Sequence, residues 1–118
     1  MPKDNLILDK TFEFSLMVIE AYKKLIKSNE FILSRQLLKS GTSIGANVNE
    51  ATAAISKKEF IAKMSIASKE AREPKYWLLL LEKGKLVPID CTELLKESND
   101  LINILTAIIK TAQKNKIE

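Results

Sequence analysis

Apolar residues recur along this chain in steps of three and four, the spacing that lines one face of an α-helix. Phe12, Leu16, Ile19, Tyr22 and Ile26 form one such stripe, and Phe14, Val18, Ala21 and Leu25 form a second beside it. The spacing predicts a first helix over about 9–28, with Asp9 or Thr11 as N-cap. Residues Met1 to Leu8 are expected to form an irregular arm, with Leu6 and Leu8 tucked against the fold. A helix with two apolar stripes has more to hide than one neighbour covers, so it is expected against two helices or against another subunit. Lys23, Lys24 and Lys27 fall in its last turns, where cations suit the negative end of the helix dipole.

Ser28-Asn29-Glu30 is a short break, so the second helix, over about 30–55, returns antiparallel. Its inward stripe is Leu33, Leu37, Gly41, Ile44, Val48, Ala51 and Ile55, and its outward side carries Arg35, Lys39, Thr42, Ala46 and Asn49. Gly41 and Gly45 each disfavour a helix interior by about 1 kcal/mol relative to alanine. Two of them one turn apart predict close approach of a neighbouring helix, the alternative being a helix broken in two at the glycines. Ser56-Lys57-Lys58-Glu59 has the form of a capping box and opens a third helix, about 57–83. Phe60, Met64, Ala67, Ala71, Leu78 and Leu81 line its core side. Pro74 lies inside the pattern and is expected to kink the helix. Glu82-Lys83-Gly84 reads as its stop, with Gly84 left-handed.

Asp90 followed by Glu93 repeats the arrangement of cap plus acid, so a fourth helix is expected over about 91–114. Leu94, Ser98, Leu101, Ile102, Leu105, Ile108, Ile109 and Ala112 make its inward stripe. Four helices joined by three short connections give an all-α, antiparallel up-down-up-down four-helix bundle, with residues 1–118 as a single domain.

Composition narrows the class of function. Of 118 residues, 46% are hydrophobic and 29% charged, the balance of a globular protein. The net charge of +4 permits an anionic partner without requiring one. The lone cysteine, Cys91, has no intramolecular partner for a disulfide. MPKDNLILDK lacks the apolar core of a secretory signal, and no apolar run approaches the roughly 20 residues needed to cross a bilayer. A cytoplasmic protein that does not enter a membrane is expected.

The stretch SRQLLKSGTSIGANVNEA, from Ser34 to Ala51, carries a resemblance. Arg35, Gln36, Leu37, Leu38, Ser43, Ile44, Gly45, Ala46, Asn47, Glu50 and Ala51 resemble the signature of the intervening-sequence or S23 family of four-helix bundles. Its members are typically encoded within insertions in bacterial large-subunit ribosomal RNA genes. Further similarity follows at Ser56-Lys57, from Phe60 to Ser65, at Lys69-Glu70-Ala71-Arg72-Glu73 and at Tyr76-Trp77-Leu78. The family usually lacks proline where this chain has Pro74. The resemblance implies a homo-oligomeric ring, commonly a pentamer, and names a fold more firmly than an activity.

Missing groups argue against an enzyme. No histidine is present, so a Ser-His-Asp triad, a histidine base and a His-ligated zinc are excluded. No Cys-x-x-Cys pair and no phosphate loop with its lysine occur, and no cofactor or metal is expected. Arg35 and Lys39 on the second helix, with Lys58, Lys69 and Arg72 on one face of the third, instead form candidate contacts to phosphates of RNA or DNA. Tyr76 lies on the same side and is the one aromatic residue placed to stack on a base. The ordinary alternative is a solvated face of Glu–Lys pairs. Ile66 and Trp77, off both the core stripe and the basic face, are candidate oligomer contacts together with Tyr76. Two functions follow: a ring-forming bundle that contacts structured nucleic acid, or a scaffold that docks a protein partner of unknown kind. A distant relative of the fold, the accessory variability protein of diversity-generating retroelements, binds nucleic acid and a reverse transcriptase, which favours the first by analogy.

Overall fold

Five helical segments follow one another in the computed structural model, which describes residues 2–117 and, of these, the side chains of residues 6–115. They are α1 (Pro2–Lys27), α2 (Leu33–Thr52), α3 (Lys57–Glu70), α4 (Arg72–Gly84) and α5 (Thr92–Ile117). The first differs most from the spacing-based expectation. It begins at Pro2, and the expected arm is helical from there; Met1 lies outside the described residues. Proline is well suited to a first helical position, where its missing N–H would have no partner in any case. Asp9 and Thr11 are therefore interior residues and not caps. Thr11 Oγ1 donates to the carbonyl of Ile7, and Ile7 is fully buried.

The expected third helix, about 57–83, is a jointed rod made of α3 and α4. Pro74 is the physical reason. It has no N–H to give to the carbonyl of Glu70, one turn before it, so the ladder of bonds opens there. Ala71 keeps helical angles (φ −64°, ψ −19°) and its N–H reaches Ala67 O at 2.9 Å, so the rod is interrupted there without unravelling. Arg72 Nη1 donates to Ser68 O at 2.6 Å and covers another carbonyl at the joint. The helix stop also differs from expectation: Lys85 (φ 53°), not Gly84, takes the left-handed conformation.

Contacts along the helices show that neighbours run antiparallel. Gly41 lies against Val18 and Gly45 against Thr11, so positions that rise along α2 fall along α1. Asn47 bonds Glu70 and Glu50 pairs with Lys63, which reverses α3 relative to α2. α2 is unbroken at its glycines. Only Gly41 is sterically required, because a methyl group there would stand 2.7 Å from Val18 Cγ2, whereas at Gly45 the nearest atom would be 3.5 Å away. The bundle is a rod of 52 × 21 × 21 Å. α1 touches α2 and α5, while the α3–α4 rod touches the same two helices from the other side. α1 and the α3–α4 rod thus occupy opposite corners around a core that includes Phe14, Leu25, Leu37, Ile44, Met64, Leu78, Leu101 and Leu105. Among the described residues there is no strand, and no helix is long and apolar enough to cross a membrane.

The connections are fixed by polar groups. Asn29 adopts φ 65°, which turns the chain after α1, and Glu30 N–H returns to Leu25 O. The buried carboxylate of Glu30 then accepts the N–H groups of Ile32, Leu33 and Ser34, the orphan donors at the start of α2. Ser56 Oγ accepts from Glu59 N–H at 3.0 Å and caps α3, and Asp90 Oδ1 accepts from Thr92 N–H at the start of α5.

Candidate nucleic-acid interface

The excess positive charge of this protein is concentrated in α2, α3 and α4. Between Leu33 and Gly84 there are nine Lys and Arg against five Glu, and the remainder of the chain carries ten of each sign. The whole net charge of +4 therefore belongs to two adjacent rods.

Three of the five acids of these rods, Glu50, Glu70 and Glu73, are engaged by side chains of the same chain. Glu70 Oε1 accepts from Asn47 Nδ2 at 2.7 Å, linking α3 to α2. Glu50 Oε1 pairs with Lys63 Nζ at 2.9 Å, and this bond holds the lysine's pKa above its ordinary value. Glu73 Oε1 accepts from Trp77 Nε1 at 3.3 Å. Arg35, Lys39, Lys58 and Lys69 are all exposed, and none of them forms an ion pair among the described residues. Local carboxylates thus leave four cations available to an external anion.

The fold groups these cations in part. Arg35 and Lys39 stand one turn apart on the outside of α2, opposite the buried Leu37, Gly41 and Ile44. Lys58 and Lys69 occupy the outside of α3, away from Met64 and Ala67. Asn47 and Glu70 are level, and Arg35 and Lys58 lie twelve residues from that level toward opposite ends. At 1.5 Å per residue they are about 36 Å apart along the rod by this link and about 30 Å by the Glu50–Lys63 link, near one turn of a nucleic-acid duplex. Arg72 is exposed but braced, with Nη1 on Ser68 O and 3.3 Å from Ser68 Oγ.

The aromatic candidates divide. Tyr76 is exposed and meets Trp77 edge-on, with ring centroids 5.2 Å apart at 68°. Trp77 is half-buried against the core, and Ile66 is exposed. The residues that periodicity alone did not single out are Leu79 and Leu80, both exposed on α4. On α1 the stripe of Phe14, Val18, Ala21 and Leu25 is the buried one, and Phe12 (65% exposed) and Leu16 (48%) of the other stripe face outward. An open cleft of about 280 Å³ lies where the α1–α2 and α4–α5 connections meet and is lined by Phe31, Ile32 and Leu86 among others. Among the described residues no three metal-ligating side chains gather.

Residues 3–107 match the model of the family described as 23S rRNA-intervening sequence protein. A crystal structure of a protein of unknown function from the S23 ribosomal protein family of Bacteroides thetaiotaomicron is similar, with 42% identity and a TM-score of 0.86. That similarity covers 92% of this chain and 98% of the other. No curated protein matches the chain.

Proposed function

Because the chain belongs to the 23S rRNA-intervening sequence protein family, we propose that it is a non-enzymatic, ring-forming bundle of the cytoplasm that binds structured RNA or DNA by charge. The observation that supports this reading is the uneven use of charge on α2 and α3. Their carboxylates Glu50 and Glu70 are occupied within the bundle, while Arg35, Lys39, Lys58 and Lys69 face solvent without ion pairs among the described residues. Cations spread over about one duplex turn neutralise phosphates and release counterions, with no reading of base sequence. Tyr76 on α4 and Phe31 just before α2 are exposed aromatic rings on these elements, too few for a single-strand stacking platform. Repetition around a ring multiplies weak contacts into avidity.

Titration against a structured RNA and a DNA duplex at several salt concentrations tests this, with the mass of the assembly measured on the same sample. Binding should weaken steeply with salt, with a log–log slope of about −3 to −4 for each fully engaged subunit. Arg35→Glu with Lys39→Glu should weaken binding to all sequences alike. A ring indifferent to both nucleic acids at low salt would defeat the reading and point to a protein-docking scaffold.

A further inference from the structure

α1 carries an outward apolar ladder that its own bundle does not use. Phe12 and Leu16 stand one turn apart, both largely exposed, and the half-buried Ile19 continues the ladder. Asp9 and Glu13 border it, exposed and without ion pairs among the described residues. The opposite corner of the bundle has a second apolar face of contrary charge. Tyr76 (57% exposed) and Leu80 (37%) lie on the outside of α4, bordered by the cations Arg72 and Lys83 and by one acid, Glu73, which accepts from Trp77 Nε1.

We infer that these two faces are halves of one contact, in which the α1 ladder of one copy seats on the outer α4 face of a second copy. The inference rests on the ring reading above and names its joint. Three observations choose a second copy as occupant. The faces lie at opposite corners, because among the described residues α1 makes no contact with α3 or α4. A copy docked at one face therefore presents the other face, unused, to the next copy, so the contact is heterologous and closes into a ring or extends as a filament. The borders are complementary, with acids on α1 and cations on α4, so each face attracts the other and repels its own kind. The elongated flank of a 52 × 21 Å rod also leaves room along its length for a contact of the ~800 Å² per partner that stable pairs bury. In this arrangement Arg72, with Lys69 three residues before it on the same face, borders the neighbouring subunit, and Arg35, Lys39 and Lys58 remain for phosphates.

The test uses two variants of the full chain, Phe12→Ser with Leu16→Ser and Tyr76→Ser with Leu80→Ser, with mass measured by light scattering. Each variant alone should be a monomer of unchanged helicity. An equimolar mixture should give a one-to-one heterodimer, because one sound α1 face meets one sound α4 face. Monomers that fail to pair on mixing would overturn the heterologous joint. An assembled wild type with both variants still assembled would overturn the choice of faces and leave the ring reading intact. A monomeric wild type would remove the ring reading itself, and this inference with it. Should a serine variant lose helicity, Asp9→Lys with Glu13→Lys should break assembly, and adding Arg72→Glu and Lys83→Glu to the same chain should restore it; failure to restore would count against the pairing.

Discussion

Gly41 lies so close to Val18 that a β-carbon added to the glycine would stand 2.7 Å from one methyl of the valine and 2.9 Å from the other. Valine is β-branched and fully buried, so it has little freedom to turn aside. Gly45, one turn on, meets Thr11 at an ordinary 3.5 Å. Gly41→Ala should destabilise the protein by about 1–2 kcal/mol, since overpacking outweighs the gain in helix propensity. Gly45→Ala should be neutral or stabilising by up to about 1 kcal/mol. Urea unfolding of both variants checks this, and Val18→Ala should relieve the Gly41→Ala defect; equal losses at the two glycines would refute the distinction.

Glu30 is the side chain that fixes the start of α2. Its buried carboxylate accepts three amide bonds, from Ile32, Leu33 and Ser34, at 3.2, 3.0 and 2.6 Å. Removing it strands three donors at the positive end of a helix dipole. Glu30→Ala should lower stability by about 2–3 kcal/mol, at about 4 °C in melting temperature per kcal/mol. Glu30→Gln, which keeps one accepting oxygen, should cost less.

Helices were legible in the sequence because each buried stripe is written in steps of three and four, and the stripe of α5 reads directly as Leu94, Leu101, Leu105 and Ile108. The same rule, carried backward from Phe14 through Thr11 to Ile7, leads into the segment expected to be an arm, which is helical from Pro2. Pro74 announced a disturbance, but whether a rod bends or separates depends on whether Ala71 keeps its bond to Ala67. For the candidate site, the outward position of Arg35, Lys39, Lys58 and Lys69 followed from periodicity. The internal engagement of Glu50 and Glu70 did not, because it depends on the register between α2 and α3. Glu30 was equally hidden, since an acid before a helix is common and three converging amides are not visible in one dimension.

Ser34 offers a stability change of opposite sign. Its hydroxyl oxygen is fully buried in the first turn of α2 and has no hydrogen-bond partner among the described residues, while its own N–H is satisfied by Glu30. A buried hydroxyl without a partner carries a desolvation cost that no bond returns. Ser34→Ala should therefore leave the fold intact and raise stability by up to about 1 kcal/mol in chemical denaturation. A clear loss would show that the hydroxyl holds a bridging water.

Cys91 gives a pH dependence whose sign follows from its surroundings. The residue is fully buried, and burial, with Glu82 and Asp90 adding to it, pushes the thiol up to about 11. In the unfolded chain the thiol ionises at about 8.5. Below that value both states hold the proton and the cysteine adds no pH dependence. Between about 8.5 and 11 the unfolded state releases a proton that the folded state retains, so stability falls as pH rises through this window. Lysines also begin to titrate there, and the comparison with Cys91→Ala isolates the thiol. The wild type should lose stability faster than the variant from pH 9 to 11, and the native thiol should resist alkylation at pH 8 until the protein is unfolded. Parallel pH profiles, or rapid alkylation of the native protein, would show that the thiol is accessible to water and that the seam beside α4 is open.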